Sequence, residues 1–254
     1  MPYGLYLSAE GAHAQATRLE VIAHNLANVD TAGFKRELAV FQARYAEETE
    51  RGEDYPGSGS INDVGGGVLV QETKTDFAPG PLKRTSVPTD MAIQGEGFFL
   101  VGKEGETFLT RAGNFLLNAR GELVTQYGGQ EFAVLTDAGT PVVLDPEGGP
   151  WELTTSGAIR QAGTAQSLAV VRPASLGDLV RMGENVFKPL ADPLPVAPGD
   201  RSVLGGYLEM SGVQPTTEMI ELIEASRAVE ANLNMMQAQD EMLSGLVNRL
   251  MRSA

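Results

Sequence analysis

Apolar residues recur in alternate steps of three and four from Met219, through Leu222, Val229, Leu233, Met236, Leu243, Val247 and Leu250, with Ser226 and Asp240 as the two polar breaks. That period of 3.5 is the seam of a coiled coil. Pro215 and Thr216 supply a helix start, and Glu218 and Glu221 follow where the positive end of the helix dipole favours acids. A helix from Thr216 to Arg252 spans roughly 55 Å. The same stepping at the other end of the chain gives Leu5, Ala9, Ala12, Ala16, Leu19, Ala23 and Leu26. Its alanines permit close approach by a second helix. A helix packed on the core of its own domain shows the same stripe, but the long C-terminal helix has few local elements to pack on. Ser226 and Asp240 read either as imperfections or as register markers, because a polar seam residue trades stability for specificity.

Between the two ends the pattern changes. From Gly57 to Gly67 the chain turns to Gly, Ser, Asn and Asp, a flexible or turn-rich connection. Strand-like character begins at Val68–Val70, and short runs rich in strand formers follow: 91–93, 98–101, 108–110, 115–117, 122–125, 132–135, 141–144 and 168–171. Gly, Asn, Asp and Pro punctuate them at hairpin intervals. Residues 190–198, with three prolines, read as an extended return to the C-terminal helix. The expected fold is α+β: long N- and C-terminal helices forming a coiled-coil-like α domain, with an all-β domain inserted between them. Residues 1–30 and 213–254 form the helical assembly domain, 31–84 and 198–212 a linking region, and 85–197 the outer β domain.

Charge narrows the partners. With 19 basic and 33 acidic residues the chain carries a net charge of −14, which repels nucleic acid. Several acids lie in the stretch 47–54, read as a solvated loop. Cysteine is absent, which removes disulfides, thiolate metal sites and cysteine nucleophiles together. There is no apolar run of membrane-spanning length. The first twenty residues lack the basic start, apolar stretch and small-residue cleavage site of a secretory signal.

Candidate chemistry is thin. The only histidines, His13 and His24, share one helix face yet lie roughly 16 Å apart along the axis, so they cannot hold one metal within that helix. Gly95-Glu96-Gly97 and Gly65-Gly66-Gly67 lack the remaining residues of nucleotide-binding loops. No serine has a nucleophile-elbow context, and the lone Trp151 reads most simply as a packing aromatic. We expect no enzyme, no cofactor, no metal site and no small-molecule substrate. A ligand-binding β module on a coiled-coil stalk is the remote alternative; it calls for an aromatic patch, and only Trp151 and scattered tyrosines are available.

One string stands out. Asn25-Leu26-Ala27-Asn28-Val29-Asp30-Thr31-Ala32-Gly33-Phe34-Lys35 looks like a helix terminus, with Asn28 and Asp30 turning the chain, Gly33 free to take a positive φ and Phe34 anchoring the turn. As a unit it resembles the N-terminal signature of the bacterial flagellar rod and hook protein family, matching at Asn25, Leu26, Ala27, Asn28, Thr31, Gly33, Phe34 and Lys35. Residues 88–99 with Thr110-Arg111-Ala112-Gly113-Asn114-Phe115 are similar to that family's central block, and 211–214 with 218–232 to its C-terminal block. Gly212, Gln214 and Val229 depart from the usual residues, which touches the subtype and not the family.

The resemblance implies an axial subunit of the flagellar basal body, crossing the periplasm in a hollow helical tube that serves as drive shaft and export channel. Length favours the proximal or distal rod subunits, the proximal type first. Implied partners are copies of itself, other rod proteins, hook or ring components and the flagellar export apparatus, with export unfolded and without a cleaved signal. On this reading the assembly interface comprises Leu5, Leu19, Leu26, Leu222, Val229, Leu233, Met236, Leu243, Val247 and Leu250.

Overall fold

A computed structural model describes residues 3–45, 49, 51–53, 55, 57, 65–127, 130–183 and 185–253. Half of the acidic stretch 47–54 and most of the Gly/Ser-rich stretch 57–67 fall outside the described residues. The chain is α+β, with a helix at each end and a β-rich middle. It divides into two compact units, one made of Met1–Ala27, Glu37–Asp76 and Gln214–Ala254, the other of Asn28–Arg36 and Phe77–Val213.

In the first unit, α1 (Tyr3–Ala27) and α2 (Pro215–Ser253) pack against each other. Pro215 opens α2 at the position where a missing N–H costs nothing, Glu218 donates its N–H to the Gln214 carbonyl at 3.0 Å, and the Glu218 carboxylate lies in the first turn. Alongside α1 runs an antiparallel pair, β1 (Glu37–Arg44) and β2 (Gly67–Thr75). The register slips between Val40 and Phe41, so β2 carries an extra residue there. Residues 37–44, read from sequence as part of a linking region, thus contribute a strand to the helical unit.

The second unit is built on a nine-stranded sheet with further short pairs. Its central strand, Phe98–Lys103, pairs with Glu106–Thr110 on one side and Gln130–Val134 on the other. The tight turn between the first two strands uses Glu104 and Gly105, at φ 53° and 86°, as a two-residue hairpin requires. Residues 141–144, expected as a strand, make only isolated bridges, Leu135 with Pro141 and Glu122 with Val143. The core is aromatic and aliphatic: Phe99 meets Phe115 edge-on at 5.2 Å and Phe108 meets Phe132 at 5.4 Å, among buried Met91, Leu123, Leu144 and Leu168. Two further pairs, Leu82–Arg84 with Tyr207–Glu209 and Met91–Ile93 with Val203–Gly205, bring the last strands before α2 back onto the first ones of this unit.

Candidate assembly interface

The closest approaches between α1 and α2 repeat every seven residues and are made by polar or small side chains. A Cβ at Gly4 would meet the Gln239 amide at 2.7 Å, and one at Gly11 would meet Asn232 at 3.1 Å. Asn25 reaches Glu218 at 3.4 Å. Each step of seven forward on α1 is thus a step of seven backward on α2, so the helices are antiparallel. The same register sets Arg18 opposite Ala225, which is 1 % exposed, and Arg18 reaches Glu221 at 3.5 Å. Glycines and one alanine let the backbones approach where long amides and a guanidinium fill the gaps.

This inner stripe lies one residue away from the apolar stripe read in the sequence. Leu222, Val229 and Met236 lie beside it and are half-buried, as are Leu5, Leu19 and Leu26 on α1. Leu233, Leu243 and Val247 point away and are exposed, in company with Met219, Ile220, Ile223, Met235, Met242 and Leu246. The side chain of Leu250 lies outside the described residues. Past Gln239, the last position opposite α1, residues 240–249 are exposed without exception. Residues 240–249 therefore extend roughly 15 Å with an apolar face that nothing in the described chain covers.

The motif at residues 25–35 works in two halves. In the first unit, Asn25 is 1 % exposed and uses both ends of its amide on one residue, donating to the Glu37 carbonyl and accepting from the Glu37 N–H, each at 2.9 Å. It imitates a strand partner and fixes the start of β1 to the end of α1. His24 adds a 2.9 Å contact from Nδ1 to the Glu37 carboxylate. Leu26 is half-buried and Ala27 exposed as α1 ends.

In the second unit the remaining residues form a turn and an ion cluster. Asn28 accepts from the Thr31 N–H at 3.2 Å and from its hydroxyl at 3.1 Å. Gly33 has φ 67°, and a Cβ there would collide with the backbone of Arg111 and Ala112 at 2.4–2.5 Å, so this position admits glycine alone. Its N–H donates to the Glu209 carbonyl at 2.7 Å. Phe34 is buried, with the Arg181 guanidinium 4.6 Å above its ring.

Lys35 ends in a buried salt bridge. Its Nζ donates to Glu209 Oε1 at 2.6 Å and to the Ala78 carbonyl at 2.9 Å, and both side chains are 1 % exposed. The other Glu209 oxygen accepts from Arg111 Nη1 at 3.1 Å, while Gly80 N–H donates to Oε1 at 3.0 Å. Arg111 also donates to the carbonyls of Ile93 and Gly95. Burial pulls the Arg111 pKa below its ordinary value, and the charges of Glu209 and Glu96 oppose that shift. One carboxylate thus ties together the three segments singled out in the sequence: Lys35 from the first, Arg111 from the second, and its own strand just before the third. Glu209 was not singled out by sequence pattern, nor were Glu37, Asn232 and Gln239. The visible signal for the helical pair was the spacing of Gly4, Gly11, Arg18 and Asn25 against Glu218, Ala225, Asn232 and Gln239.

Among the described residues no three histidine, aspartate or glutamate side chains cluster as a metal site, and no helix is long and apolar enough to cross a membrane.

The three segments that converge in these contacts define a protein whose recurring sequence blocks serve to join its ends and close its β unit. Three family models match the chain in the same places: "Flagella basal body rod protein" over residues 5–35, "Flagellar hook protein FlgE/F/G D1 domain" over 92–163, and "Flagellar basal body rod FlgEFG protein C-terminal" over 204–250. The chain is 32 % identical to the flagellar basal-body rod protein FlgF of Caulobacter vibrioides over 98 % of each chain. It is 31 % identical to FlgG of Borreliella burgdorferi, over 99 % of this chain and 100 % of the relative, and 33 % identical to FlgG of Caulobacter vibrioides, over 94 % and 96 %. The chain belongs to the flagellar basal-body rod protein family.

Proposed function

We propose that this protein is a structural, non-enzymatic subunit of the flagellar rod that polymerises with copies of itself and with other rod proteins into a hollow tube, and that it is of the proximal type. The observation that carries the assembly reading is the mismatch along α2. Its polar stripe is used against α1 with Leu222, Val229 and Met236 half-buried beside it, while Met219, Ile220, Ile223, Leu233 and Met235, and the whole of 240–249, remain exposed. Burying such a face is the driving force for association. A surface used by one copy to hold a different surface of the next produces an open helical array.

In this reading 1–30 with 213–254 is the assembly domain, where helices of neighbouring copies complete coiled-coil-like seams through Leu233, Leu243 and Val247. Residues 85–197 form the outer β domain, and 31–84 with 198–212 connect the two. The chain reaches the rod unfolded through the flagellar export apparatus without a cleaved signal, and its outer surfaces meet hook or ring components.

The proximal assignment is supported by the end-to-end match to FlgF, with 251 residues aligned over 98 % of both chains. The distal type is the second reading, supported by the FlgG matches of similar identity. Electron microscopy of basal bodies carrying a tagged copy tests this directly: label at the membrane-proximal end of the rod is expected, and label confined to its distal part would reassign the subtype. Leu233→Asp tests assembly itself. Leu233 is 46 % exposed, so the variant should fold and be secreted yet fail to enter rods; normal motility with normal rod length would refute the assembly reading.

A further inference from the structure

The β unit carries an open groove of about 530 Å³ lined by Arg84, Pro88, Trp151, Leu153, Gly206 and Tyr207 among others. Its floor is backbone. Gly206 sits at φ 72°, and its carbonyl accepts from the N–H groups of Thr85 and Ser86 at 2.8 and 3.1 Å. At the neighbouring Gly205 a Cβ would press on Leu153 at 3.3 Å. Trp151 and Leu153 pack one side on the main core and are only partly buried, so the rest of each faces the groove. The result is an open, largely polar groove in which Trp151, Leu153 and Tyr207 supply the apolar surface and Arg84, an exposed cation, stands at the edge, on a chain of net charge −14.

The same chain exposes a segment of complementary chemistry. In Leu190-Ala191-Asp192-Pro193-Leu194-Pro195 the two leucines are 70 % and 61 % exposed, and Asp192 is exposed between them. Leu194–Pro195 pairs with Val171–Arg172, which fixes the segment in place, and none of its residues lines the groove. Extended proline-rich segments dock in aromatic-lined grooves because proline has already removed much of the conformational freedom that docking would cost.

We propose that the Trp151–Tyr207 groove of one copy receives the Leu190–Pro195 segment of a second copy, with the leucines against the aromatic walls and Asp192 paired to Arg84. The proposal rests on the chain assembling with itself. Groove and segment are different patches, so every copy offers one of each and the contact is head-to-tail, the kind that builds open arrays when its rotation does not close.

Trp151 is the only tryptophan, so its emission reports on the groove directly. A peptide spanning residues 188–198 is titrated into the full-length chain at concentrations where it sediments as a monomer. Saturable change in Trp151 emission is expected. Arg84→Glu should weaken the peptide about tenfold, and a peptide carrying Asp192→Arg should recover binding to that variant. Unchanged emission up to about 1 mM peptide overturns the proposal, as does equal binding by the Arg84→Glu chain. A response to a neutral oligosaccharide with none to the peptide also overturns it, by making the groove a sugar site. Sedimentation of wild-type chain at high concentration separates the two ideas: polymers that form while the peptide leaves Trp151 silent refute the groove contact and leave the rod reading intact.

Discussion

The two units of this chain are held together in opposite ways. The β unit buries phenylalanines in edge-on pairs and closes around an ion cluster that is almost inaccessible to water. The helical unit, among its described residues, buries only Ala14, Ile22 and Ala225 as apolar side chains, with Ser8, Asn25 and Glu218 as polar ones. It leaves a row of leucines, methionines and isoleucines in solvent. The first is a finished core. The second uses polar and small residues for its closest internal contact and leaves much of its apolar surface outside, unlike a domain meant to stand alone.

The comparison breaks most sharply at Glu209. Replacing it with Gln removes the carboxylate that Lys35 and Arg111 share, and removal of one partner from a buried ionic cluster costs ~3–5 kcal/mol. Urea unfolding followed by Trp151 emission, which reports the β unit, should show that loss. A midpoint within error of wild type would mean that water or neighbouring carbonyls screen the cluster and that its role in closing the β unit is overstated. The cluster also explains why three separated sequence blocks are needed at once: each supplies or flanks one member.

The strands between Met91 and Val134 and both helices were legible because their signals are local, whereas Leu82–Arg84, the short strands from Glu152 to Ser167, Leu179–Arg181, Val186–Pro189, Val203–Gly205 and Tyr207–Glu209 were not read. Met91–Ile93 and Leu116–Leu117 fall inside the runs read from strand formers, and Pro215 opens α2 where proline is favoured. The turn at Gly33 was legible for the same reason. The strand at Glu37–Arg44 was not, because its partner begins more than twenty residues further along the chain and its alternation is weak, with exposed and half-buried residues mixed. Glu209 was invisible because a buried carboxylate is defined by its counter-charges, which lie 98 and 174 residues away. The closest contact of the two helices was not legible because an apolar seam is the expected inner face; here Gly4, Gly11 and Asn25 meet Gln239, Asn232 and Glu218, with Leu222, Val229 and Met236 half-buried beside them.

A smaller effect separates the units from the other side. Asn25→Ala removes both hydrogen bonds to the Glu37 backbone and the contact to Glu218, leaving buried polar groups unpaired at a cost of ~1–3 kcal/mol. Because these partners all belong to the helical unit, amide exchange should accelerate at Glu37 and through α1 while the strands around Phe99 keep their protection. Uniform acceleration across both units would show that they unfold as one cooperative body and that the contrast in packing has no energetic counterpart.

The least change in the isolated chain is expected at the far end of α2. Leu246 is 58 % exposed, in the stretch beyond Gln239 where every described side chain from 240 to 249 faces solvent. Leu246→Glu should alter the stability of the monomer by no more than about 0.5 kcal/mol, as for surface positions generally, and glutamate is as good a helix former as leucine to within a few tenths. If the apolar face serves assembly, the same substitution places a charge in a contact that must shed water, and polymer formation should drop steeply while the melting curve stays where it was. Sedimentation and thermal unfolding on one sample read both quantities. Loss of monomer stability by several kcal/mol would mean that Leu246 is already covered within the chain; unchanged polymerisation would move the assembly face off the α2 extension and onto Leu233 and its neighbours nearer α1.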